Sequence, residues 1–87
     1  MIQYKLYTES KRNLKGLVKK YFKSATLTKG VGLFNGMFEY SLVIEIIMSG
    51  NEKNVKNVYR LIDEIKIQNN QTCVGLLRVE NVDFKLV

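Results

Sequence analysis

Asn35-Gly36 stands between two stretches of alternating hydrophobicity, and an Asn-Gly pair tolerates the positive φ angles that a two-residue hairpin turn requires. After it, Phe38, Tyr40, Leu42, Ile44, Ile46 and Met48 share one parity, with Glu39, Ser41, Val43, Glu45 and Ile47 on the other. So long and β-branched a run predicts a central strand. Before it, "SATLTKGVGLF" sets Ala25, Leu27, Val31 and Leu33 on one parity, the first arm of the hairpin.

The flanks supply the rest. "IQYKLYTE" alternates Ile2, Tyr4 and Leu6 against Gln3, Lys5 and Tyr7, a first strand. Ser10 is the expected N-cap of a helix whose apolar face is Leu14, Leu17, Val18, Tyr21 and Phe22. Beyond the hairpin, Ser49, Gly50 and Asn51 break the strand. Val55, Val58, Tyr59, Ile62 and Ile65 then trace a second helix, ending near Asn69-Asn70. "TCVGLLRV" reads as the last strand, and Val82, Phe84 and Leu86 alternate as a C-terminal strand extension.

This order predicts an α+β fold over residues 1–87 as a single domain. It is a ferredoxin-like βαββαβ sandwich with two helices on one face of an antiparallel sheet. The open face then carries Gln3, Lys5, Tyr7 and Glu9, Thr26 and Thr28, and Ser41, Val43, Glu45 and Ile47.

Composition is that of a globular protein, 46% hydrophobic and 25% charged. A chain of 87 residues buries only about 60–65% of its unfolded surface, so a homo-oligomer is expected. No run is long and apolar enough for a membrane span or a signal peptide, which predicts a cytoplasmic protein without membrane partners. Histidine is absent, which removes hydrolytic triads with His and His-bearing metal sites. No catalytic residue, metal ligand or cofactor is implied. Cys73, the only cysteine, reads as a small buried hydrophobe.

Charge is concentrated. Of 14 cations, Lys11, Arg12, Lys15, Lys19, Lys20 and Lys23 fall in one acid-free stretch, and the remaining cations are balanced by the 8 acids. Arg12, Lys15, Lys19 and Lys23 follow a helical row that could attract an anionic small molecule or nucleotide. A nucleic acid is less favoured, because RNA-recognition sheets need aromatics on two adjacent strands and only Tyr7 qualifies. Asn70 and Gln71, in "NNQT", offer amides for a base or ribose, beside an Asn that serves as C-cap.

Gly30 and Gly32 predict a twist or bulge in the second strand. Glu9 and Glu45 are candidates to face each other, as a shared-proton or cation pair or as solvated or interface carboxylates. Phe34, Met37 and Phe38 crowd the hairpin tip, an apolar patch of the kind that marks an interaction site. With Val43, Ile47 and Phe84 they form the expected interface, and Phe34 doubles as a stacking surface beside Tyr7.

"YKLYTE", "ATLTKGVGLF", "EYSLVIEII" and "NNQTCVGLL" together resemble small phage and bacterial ferredoxin-like proteins of unknown function. The resemblance implies assembly as dimers or rings and, for some members, an anti-defence role. It carries over no ligand residue. The reading that follows is a non-enzymatic, homo-oligomeric binding protein that captures an anionic nucleotide-like ligand, such as a host defence signal. The alternatives are an inhibitor docking on a host protein and a nucleic-acid binder using the first helix.

Overall fold

The computed structural model describes all residues, Met1–Val87. Its elements are β1 (Ile2–Glu9), α1 (Lys15–Tyr21), β2 (Thr26–Phe34), β3 (Met37–Met48), α2 (Glu52–Asn69) and β4 (Gly75–Val79). The strands form one sheet in the order β2-β3-β1-β4, every pairing antiparallel. This is the ferredoxin-like arrangement that the periodicities predict.

Both helices cover one sheet face. Tyr4 and Leu6 of β1, Leu42, Ile44, Ile46 and Met48 of β3, and Leu14 and Val18 meet Val58, Leu61, Ile62 and Ile65 of α2 in a single core. On the second helix the face is rotated from the expected one: Leu61 is fully buried and Tyr59 is exposed. Asn51 caps α2 by accepting from the Asn54 N–H at 2.8 Å, and Asn70 closes it in the left-handed conformation.

α1 is shorter than its apolar pattern. Ser10 does not cap it, because its N–H donates to the Tyr40 carbonyl at 3.0 Å and prolongs the β1–β3 ladder. The helix begins only at Lys15, whose N–H donates to Asn13 Oδ1 at 3.1 Å. Lys11 and Arg12 therefore lie in a bend and Lys23 beyond the helix, so the expected four-residue basic row is not one helical stripe.

The β2–β3 hairpin turns at Asn35 (φ 50°) and Gly36 (φ 76°). Its ladder runs from Thr26↔Glu45 to Phe34↔Met37 without a break, so Gly30 and Gly32 create no bulge. Because β1 stops at Glu9↔Ser41, residues 30–40 project as a two-stranded arm and stretch the molecule to 37 × 21 × 20 Å. One side of the arm shows Val31, Leu33, Phe38 and Tyr40, and the other Phe34 and Met37, all exposed. Val43 and Ile47 are half-buried on the open sheet face. Phe84 is exposed in residues 80–87, which form no strand; Val82 N–H donates to the Met1 carbonyl instead.

Candidate functional site

A cleft of about 470 Å³ lies where β1 ends, between the arm and the loop joining α2 to β4. Tyr7, Thr8 and Glu9 come from β1, Gly32, Leu33 and Phe34 from β2, Glu39 and Ser41 from β3, and residues 70–75 from the loop and the start of β4. Strand geometry explains the hollow. Gly32 pairs with Glu39, so at that position β2 puts no side chain into the cleft, and Leu33 and Phe34 beyond it form the edge. Gly75 stands opposite Tyr7, where a Cβ would lie only 3.1 Å from the Tyr7 Cβ.

A buried polar frame holds the loop. Asn69 and Thr8 are each 3% exposed. Asn69 Nδ2 donates to Thr8 Oγ1 at 3.2 Å, to the Glu9 carbonyl at 3.0 Å and to Gln71 Oε1 at 3.2 Å. Thr8 Oγ1 in turn donates to Gln71 Oε1 at 2.8 Å, and Gln71 Nε2 donates to the Cys73 carbonyl at 2.6 Å. Asn69 Oδ1 is buried with no partner, which costs about 1–3 kcal/mol.

The electrostatics run against the chain's average. The cleft has two carboxylates, Glu9 and Glu39, and no Lys or Arg in its lining, although net charge is +6. Glu9 is paired with Lys11 at 2.7 Å, whereas Glu39 has no ion pair. Glu45 is opposite Lys5, bound by it at 3.7 Å and by Gln3 Nε2 at 3.0 Å, and Glu9 is opposite Ser41. The two acids therefore do not face each other.

Cys73 is exposed, not buried, because β4 starts only at Gly75 and leaves "TCV" in the loop. The groups with shifted titration lie elsewhere, between the helices. Glu64, beside Lys20 at 2.8 Å and Tyr21, is held below the usual carboxylate range, and it raises both Lys20 and Tyr21.

Of the residues singled out from the sequence, the cleft brings together Tyr7, Phe34, Asn70 and Gln71. Arg12, Lys15, Lys19 and Lys23 are absent from it; Lys23 lines a separate groove with Lys20 and Lys53. Sequence reasoning missed Glu39, Thr8 and Asn69. Thr8 carried a signal: it is a hydroxyl on the core parity of Tyr4 and Leu6.

No protein-family model and no curated protein matches the chain. Solved structures do share its fold. A phage SAM lyase in complex with S-methyl-5'-thioadenosine superposes with a TM-score of 0.69 at 17% identity, over 91% of this chain and 80% of that one. A phage SAM lyase in the apo state gives 0.65 at 16%, over 90% and 78%. A de novo designed protein, Foldit4, gives 0.50 at 17%, over 93% and 96%. At these identities the likeness is one of fold. It nonetheless overturns the expectation of a non-enzymatic binder, since the two higher-scoring of these neighbours are structures of an enzyme.

Proposed function

We propose that the chain is a lyase acting on a sulfonium nucleoside of the S-adenosylmethionine type, in the cleft at the end of β1. The observation that carries this reading is the cleft's charge: its lining has Glu9 and Glu39 but no Lys or Arg, and Glu39 has no ion-pair partner, in a chain of net charge +6. A sulfonium centre is a cation with apolar substituents. Carboxylates and the aromatic faces of Tyr7 and Phe34 suit it as they suit a quaternary ammonium. An anionic ligand gains nothing there. The cleft's volume is in the range of small-molecule sites, and the shared fold with a phage SAM lyase supports the same class.

In such a reaction the bond between sulfur and the γ-carbon of the amino-acid arm breaks, and its electron pair stays on sulfur. The nucleoside product is neutral S-methyl-5'-thioadenosine. The γ-carbon accepts the substrate's own carboxylate oxygen, closing a lactone with no proton moved. This route needs no protein base, which suits a chain without histidine whose Glu9 is occupied by Lys11. A carboxylate beside the sulfonium stabilises bound substrate more than a transition state in which the positive charge fades. Glu39 thus supplies affinity, and the rate comes from holding the folded substrate in line and away from water.

The same reading includes a homo-oligomer that covers the arm's apolar side chains, and a phage protein acting in the host cytoplasm. Consuming S-adenosylmethionine there would starve host enzymes that depend on it, an anti-defence effect. The test is incubation of purified protein with S-adenosylmethionine, resolving nucleoside and amino-acid products by chromatography. S-methyl-5'-thioadenosine with a lactone is expected. Unconsumed substrate at high protein concentration would end the lyase reading, and an alkene product would reassign Glu39 as a base.

A further inference from the structure

We propose that main-chain groups of Thr72, Cys73 and Val74 read the purine edge of the nucleoside. Buried Asn69 and Thr8 act as positioning residues that hold this loop through Gln71. The inference rests on the nucleoside reading above and assigns the part of the cleft that recognises the base.

Thr72, Cys73 and Val74 take part in no backbone–backbone hydrogen bond, yet they line the cleft. Only the Cys73 carbonyl has a protein partner, Gln71 Nε2. The loop therefore lines the cleft with residues whose main-chain N–H and C=O groups, the Cys73 carbonyl aside, have no protein partner. Adenine displays the matching alternation, an amino donor beside ring-nitrogen acceptors. A 6-oxo purine reverses the donor at that edge. Reading a neutral base by backbone needs no charged side chain, in keeping with a lining that has no cation.

Main-chain groups discriminate only if they are held still. Gln71 is turned away from ligand duty: Oε1 accepts from Thr8 Oγ1 at 2.8 Å and Asn69 Nδ2 at 3.2 Å, and Nε2 fixes the loop's own carbonyl. Its partners are buried polar side chains, and burying such groups is unfavourable unless they are bonded. The frame spends two of them on one loop that makes no main-chain ladder of its own.

The test is calorimetric titration of S-methyl-5'-thioadenosine and its 6-oxo counterpart, S-methyl-5'-thioinosine, into the full chain and into Thr8→Val, Thr8→Ser and Gln71→Ala. The full chain should prefer the adenine ligand by about tenfold or more. Thr8→Val should bring the ratio toward one and Thr8→Ser should restore it. A purely structural role would leave the ratio unchanged, which would overturn the inference, as would equal binding of the two bases by the full chain. Gln71→Ala, in the loop itself, gives the same reading should Thr8→Val fail to fold. The lyase reading fails separately: base-selective binding without cleavage of S-adenosylmethionine removes the reaction and keeps the subsite. Cleavage with equal binding removes the subsite alone, and no binding of either nucleoside removes the subsite too.

Discussion

Asn69 Nδ2 donates to the carbonyl oxygen of Glu9 at 3.0 Å, joining the last residue of α2 to the last residue of β1. That bond fixes the wall of the cleft to the strand whose end forms its floor. Replacing Asn69 by Ala should lower stability by about 1–3 kcal/mol, since it removes the side-chain donor of the Glu9 carbonyl and takes one bond each from Thr8 Oγ1 and Gln71 Oε1, which stay paired with each other. Urea denaturation should show an earlier midpoint with an unchanged slope.

Glu39 and Glu9 should separate on substitution. Glu39→Gln is expected to weaken S-adenosylmethionine about tenfold while leaving neutral S-methyl-5'-thioadenosine nearly unaffected. Glu9→Gln, already paired with Lys11, should do less. KM and kcat measured for both variants check this, because a loss confined to kcat for Glu39→Gln contradicts a binding role.

Gly32→Ala should leave the fold intact. Its Cβ would meet Ser41 Cβ and Oγ at 3.6 Å, an ordinary contact. Removing a strand glycine should be neutral or favourable by about 0.5–1 kcal/mol. Ligand affinity should fall nonetheless, because the methyl group enters the cleft. Thermal melting together with titration of S-methyl-5'-thioadenosine separates the two effects.

The contact between helices through Lys20 and Glu64 should depend on pH at both ends. Glu64 is depressed in the folded state, so its contribution is present above about pH 4.5, the ordinary carboxylate value. It is lost as pH falls through the folded value. Lys20 and Tyr21 are raised, so theirs is complete below pH 10 and lost as pH climbs through the folded values. Denaturation of the parent and Glu64→Gln should differ at pH 7 and converge in acid.

Phe38→Asp on the arm should reduce self-association without altering the far-ultraviolet circular dichroism, because Phe38 is exposed and takes no part in the core. Sedimentation of parent and variant at equal concentration measures it. A monomeric parent would overturn the oligomer, and an oligomer of unchanged mass in the variant would place its contact elsewhere.

Parity was legible for the strands because alternation is local: β1 and β3 bury the residues on the predicted side, except Phe38 and Tyr40 on the projecting arm, and the open face carries the predicted set. The Asn35-Gly36 turn was legible for the same reason. Helix one was not. Its cap depended on whether Ser10 would join the β3 ladder, and that choice is made by a strand thirty residues away, at Tyr40. Cys73 was misplaced because its apolar neighbours resemble a strand start, while the C-cap at Asn70 and the frame on Gln71 keep the segment a loop.

The cleft's composition was half visible. Tyr7, Phe34, Asn70 and Gln71 were chosen by side-chain chemistry and converge in space. The basic row did not join them, because net charge along a sequence says nothing about which side of the fold carries it. Glu39, hidden among aromatics in the hairpin, reverses the sign of the site.

β4 gives the molecule a hierarchy. All five of its residues are exposed, it pairs only with β1, and Arg78 over the Tyr4 ring is its one aromatic anchor. Its amides should therefore exchange with solvent through a partial opening that costs less than melting the sheet. That opening frees the Gly75 end of the cleft loop while the frame on Gln71 still holds the other end, so the temperature at which the site is lost lies below the temperature at which the core is lost.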